Sequence, residues 1–91
     1  MKNTEQIAEM RSKIINELTQ IKKQNTSSAF VIDDLMKRIE SVKMNRKAAD
    51  EYCTLLMQGI MALGMMGGIS SDGFNAIQNL NKECAELAQK K

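Results

Sequence analysis

Ile32, Leu35, Ile39, Val42, Arg46, Ala49, Cys53, Leu56, Ile60 and Leu63 recur at alternating steps of three and four residues. That spacing holds one face of an α-helix apolar along its length, as the a/d seam of a helix packed lengthwise on others. Arg46 is the seam's only charged member, and the sequence contains no proline to interrupt it. The seam predicts a helix from about residue 28 to about residue 66. A break is conceivable over Lys43-Met44-Asn45-Arg46-Lys47, where the apolar spacing lapses, but nothing there forces one. A continuous or gently bent helix is therefore expected, nearly twice the length of its neighbours.

Two shorter helices flank it. Ile7, Met10, Ile14, Leu18 and Ile21, widened by Ile15, form the stripe of a first helix over about 4–24. Asn3 is placed to cap it, with Gln6 three residues on as the capping-box partner. Asn25-Thr26-Ser27-Ser28 then reads as a turn that also opens the long helix, with Asp33 and Asp34 in its first turns. Gly67 and Gly68 supply a helix stop, and Ser70 supplies the next N-cap. Ile69 and Phe74 sit at the spacing of a hydrophobic staple. Phe74, Ile77, Leu80, Cys84 and Leu87 make the stripe of a third helix over about 70–89.

The expected architecture is a single all-α domain over 1–91, with a long central helix and two antiparallel flanking helices. In that arrangement Lys13 would approach Glu40 and Glu9 would approach Lys43. Each end of such a rod is only two helices thick and leaves apolar surface in water. Assembly as a helical-bundle or coiled-coil-like homodimer built on the long helix is the expected remedy.

Composition narrows the chemistry. The 91 residues contain no histidine, which removes the commonest general base and metal ligand. Two cysteines, Cys53 and Cys84, lie on apolar faces of different helices and read as reduced, buried thiols. No nucleophile–base pair, phosphate-binding glycine loop or metal-ligand set can be read, so a non-enzymatic protein without a cofactor is expected. Residues 1–47 carry ten Lys/Arg against six Asp/Glu, whereas residues 48–91 carry three against five. That asymmetry can orient a partner, but it falls short of the charge of a dedicated nucleic-acid-coating protein. The opening residues are polar and charged, unlike a secretory signal, and a cytoplasmic location is expected.

Tyr52 to Ser71 contains no charged residue and approaches the length of a bilayer span. Thr54, Gln58 and the Gly67-Gly68 pair argue against a span, as does a seam register that enters this stretch from a highly charged one. A membrane-associated protein using residues 52–69 is the least favoured of the readings.

Two surface features remain as candidate binding residues. Leu55, Met57, Met61, Met65 and Met66 lie outside the seam and are apolar, which suits either core filling or a pliable hydrophobic interface. Lys37, Arg38, Lys43, Arg46 and Lys47 form a basic run, a solvated face or an electrostatic guide. Arg46, on the seam, reads as a rim residue or as an ion-pairing specificity device. A helix-turn-helix match around Gly67–Asn79 is weak, because its recognition face presents no Lys or Arg before Lys82. The expected function is a small regulatory inhibitor or adaptor that binds a larger protein. An accessory nucleic-acid binder using the basic run is the alternative.

Overall fold

The computed structural model describes residues 2–89. Among these the chain forms four α-helices and one 3₁₀ turn, with no strand. Helix α1 spans Lys2–Gln24, a 3₁₀ turn covers Thr26–Ser28, and α2 spans Ala29–Glu40. Helix α3 spans Ala48–Met66, and α4 spans Ser71–Gln89. The all-α class is as expected. The long central helix is not: it is two helices, α2 and α3, joined by an irregular corner over 41–47.

Side-chain pairs show how the helices run. Lys22 meets Asp33, Thr19 meets Met36 and Arg11 meets Val42, so α1 and α2 are antiparallel. Leu35 lies against Gly59 between α2 and α3. Phe74 lies beside Gly64, and Asn81 bonds to the Cys53 carbonyl, so α3 and α4 are antiparallel. Lys13 pairs with Glu83, and Ile21 lies beside Gly73, which closes the ring between α4 and α1. The result is an up-down-up-down bundle, 39 × 19 × 16 Å, in which each helix packs on two neighbours.

The corner explains why the rod does not form. A straight helix leaves each half of the seam covered by one neighbour. Folding at 41–47 brings both halves into one core, where Ile32, Leu35, Ile39, Val42, Ala49, Leu56 and Leu63 are buried together. Local polar bonds hold the turn. The Ser41 hydroxyl donates to the Arg38 carbonyl, and the Val42 amide donates to the Ile39 carbonyl, tightening the end of α2. The Asn45 side-chain oxygen accepts the Lys47 amide at 2.9 Å, and the Asn45 carbonyl accepts the Ala48 amide at 3.0 Å. Asparagine bonds of this kind compete directly with helical ones. Arg11 crosses from α1 to bind the Val42 carbonyl, satisfying an acceptor that the broken helix leaves free.

Three smaller expectations also change. Helix α1 opens at Lys2, ahead of the expected start, and the side chain of Asn3, expected to cap it, lies outside the described residues. Lys13 pairs with Glu83 rather than with Glu40, and among the described residues Glu9 and Lys43 form no ion pair, because the corner lets α4 lie along α1. Arg11 is a half-buried clamp on the buried Tyr52.

At the opposite end the turn after α3 is as expected, whereas the turn before α2 is a 3₁₀ turn whose Ser28 makes no side-chain cap bond to α2. Gly67 adopts the left-handed conformation, φ 68°, and its amide donates to the Leu63 carbonyl. The Ser70 hydroxyl accepts the Gly73 amide at 3.1 Å and so caps α4. Buried Asn25 ties the turns together: its amide nitrogen donates to the Ile21 carbonyl, and its oxygen accepts the Ser70 amide.

Candidate interaction surface

Helix α3 turns Ala49, Tyr52, Leu56, Gly59 and Leu63 into the core. With 3.6 residues per turn, the opposite ridge is then Met57, Met61 and Met65, continuing the line of Asp50 and Thr54. These methionines are 48%, 62% and 88% exposed, and Met66 beside them is 49% exposed. The bundle closes its core without them. Leu55 differs from the other four: it is half-buried and packs against the core, where it lines the seam between α2 and α3. Gly64, exposed on the same helix, has the Phe74 ring beside it.

Phe30, in the first turn of α2, is 64% exposed and joins the exposed apolar residues. The signal for it was present, since the seam begins at Ile32 and leaves residue 30 facing away. What singled it out only in three dimensions is that among the described residues it is left exposed.

Lys37, Arg38, Lys43, Arg46 and Lys47 are all exposed and gather at the corner end of the bundle. Arg38 is tied to Asp34 at 2.9 Å, an exposed helical pair of small worth. Arg38, Lys43 and Lys47 share an open depression of about 810 Å³ with Asp50, Glu51 and Thr54, so the cations there are mixed with acids. Arg46 does not lie at a helix–helix contact. The corner removes it from the seam and exposes it.

The cysteines are free thiols, Cys53 half-buried and Cys84 buried. The Cys53 Sγ lies 3.7 Å from the Asn81 carbonyl oxygen. Burial pushes the Cys84 thiol up to about 12, with Cys53 and Glu83 nearby adding to the effect. Burial and then Asp50 raise Cys53 as well. Both thiols therefore keep their protons near neutrality, which is the reverse of what an activated nucleophile needs. Among the described residues no group of three or more His, Cys, Asp or Glu is arranged to hold a metal ion, and no helix is long and apolar enough to cross a membrane.

Fold and surface together define an up-and-down four-helix bundle with one unpartnered methionine-rich face. Comparison with protein-family models, with curated proteins and with solved structures finds no match to this chain.

Proposed function

We propose that this chain is a non-enzymatic protein-interaction module of the cytoplasm, a small inhibitor or adaptor that binds a larger protein through the outer face of α3. The observation that carries this reading is the exposure of Met57, Met61, Met65 and Met66 on a bundle whose core is already closed. Interfaces are enriched in methionine and depleted of charge at their centres. Flexible thioether side chains also adapt their shape to a partner at little cost. The basic corner lies at one end of this face and serves as the electrostatic guide.

The test is capture of partners from the native host by the tagged chain, compared with Met61→Glu and Met65→Glu. Both positions are exposed, so the variants should keep the helical circular dichroism of the parent and lose the captured protein. Retention of the same partner by both variants would remove α3 as the interface.

The exposure of all five corner cations supports a second reading, an accessory nucleic-acid binder. Asp50 and Glu51 in the same depression weigh against it. Phosphate binding releases counterions, so this reading requires an affinity that falls steeply with salt. The protein-interaction reading expects no binding of duplex or single-stranded DNA near physiological salt.

A further inference from the structure

We infer that the corner over 41–47 is a hinge through which two copies of this chain exchange halves: it straightens, and the α3–α4 hairpin of each copy packs on the α1–α2 hairpin of the other. Each hairpin is then covered by the same surface that covers it in the bundle, taken from a second copy. The inference goes beyond the reading of α3 as an interface and does not rest on it, because the methionine ridge faces outward in both forms.

The phase of the seam points to the hinge. Its steps of three and four run from Ile32 to Leu63 straight through residues 41–47. A corner that only reverses the chain has no need to keep α2 and α3 in phase. A helix running through the corner carries the buried face of α2 directly into that of α3. The corner contains neither proline nor glycine, and among the described residues no non-glycine residue has a positive φ. The polar bonds of the turn are replaceable. In a straight helix the Val42 carbonyl exchanges the Arg11 guanidinium for the Arg46 amide four residues on. Arg11 keeps its Nε bond, now to the partner's Tyr52.

The charges near the axis complement a second copy. Leu35 faces Gly59 in the bundle. Exchange keeps that pairing between copies, so the two straightened helices run antiparallel about a two-fold axis near residue 47. Lys43 then lies opposite the partner's Asp50, on the same side of the seam. Arg46 falls in the layer next to the axis, where the partner's Ala49 leaves room for its stem and the partner's Asp50 answers its charge. In the bundle Arg46 is exposed and, among the described residues, has no ion pair. The ties from Arg11 to Tyr52, Lys13 to Glu83 and Asn25 to Ser70 all re-form across copies. Exchange of identical elements is for this reason a low-cost route to a dimer.

The parent chain is refolded from denaturant at about 1 mM, a concentration that favours association by mass action, and sized by sedimentation velocity. A species of twice the mass of one chain should form. Asn45→Ala removes the bond that holds the Lys47 amide in the turn and should raise the share of that species several-fold. Met44→Gly with Arg46→Gly penalises the straight helix in both copies and should weaken the dimer by about a hundredfold, with helical dichroism of the single chain unchanged. Leu35→Cys with Gly59→Cys, in a chain carrying Cys53→Ala, reads the exchange itself. A Cβ at position 59 stands 3.6 Å from the Leu35 Cγ, within disulfide reach once the leucine is shortened. After oxidation, the double-mass species should run at double mass on a denaturing gel without reductant, and the single-mass species at single mass.

Single mass for the parent and for Asn45→Ala alike overturns the inference. So does a double mass whose engineered disulfide closes within one chain, or one indifferent to the two glycines.

Discussion

Arg11 spreads its guanidinium near the Tyr52 ring, 5.9 Å from the centroid, and donates through Nε to the Tyr52 hydroxyl at 2.9 Å and through Nη2 to the Val42 carbonyl. One side chain of α1 thus fastens both halves of the corner. Replacing it with methionine keeps the aliphatic packing and leaves a backbone acceptor unpaired, at a cost of about 1–3 kcal/mol in a denaturant titration. Arg46→Leu should change stability by less than about 0.5 kcal/mol, because Arg46 is exposed and nothing in the core awaits it. Ser28 is the reverse case: its hydroxyl is fully buried without a hydrogen-bond partner. Ser28→Ala should therefore stabilise the chain by about 1 kcal/mol. Cys84 ties stability to pH. Its thiol ionises near 9.0 when unperturbed and near 12 in the fold. Above pH 9 the unfolded chain releases a proton that the folded chain keeps, so stability falls as pH rises toward 12. The melting temperatures of the parent and of Cys84→Ala should converge over that window, and constant separation would contradict the assignment.

At the level of elements, two glycines work by different physics. Gly67 ends α3 at φ 68°, with nothing within 4 Å of where a Cβ would stand. Gly67→Ala should cost about 1–2 kcal/mol from backbone strain alone. Gly59 has ordinary helical geometry, but a Cβ there would stand 2.7 Å from the Leu35 Cδ2. Gly59→Ala must displace Leu35 and loosen α2 from α3. Chemical denaturation separates the cases: with Leu35→Ala, the Gly59 change should be strongly non-additive, whereas the Gly67 change should add to within about 0.5 kcal/mol. The apolar stripes of α1 and α4 were legible from local spacing, and so were the Gly67 stop and the Ser70 cap. The corner was not. Lys43, Met44, Arg46 and Lys47 have good helix propensity, and a single Asn45 carries no local signal strong enough to require a break.

For the whole molecule, the helical hairpins α1–α2 and α3–α4 are joined by ties that cross between them. Arg11 to Tyr52, Lys13 to Glu83, Asn25 to Ser70 and Ser27 to Gly68 run from one end of the bundle to the other. Neither hairpin keeps its apolar face covered alone, so the bundle should unfold as one unit. Tyr52 is the only tyrosine, there is no tryptophan, and its fully buried ring lies where the hairpins meet. Its fluorescence should therefore follow the same melting curve as helical dichroism. Two separated transitions would show that the hairpins open independently.

The sequence by itself determined which residues turn inward. The stripe Ile7, Met10, Ile14, Leu18 and Ile21 is buried throughout, and so are most of the seam positions on α2 and α3. Periodicity reports the face that seeks an apolar neighbour, and that face is the same whether the helix is straight or folded back on itself. Which neighbour covers it is a question of long-range burial. A rod with a second copy and a folded bundle satisfy the same seam. The tertiary structure chose the bundle by turning at 41–47, where Arg11 and Asn45 satisfy the backbone groups that the turn exposes. That choice also decided the fate of the methionines. In the bundle α2, α4 and the core claim three sides of α3, and Met57, Met61 and Met65 are left facing out.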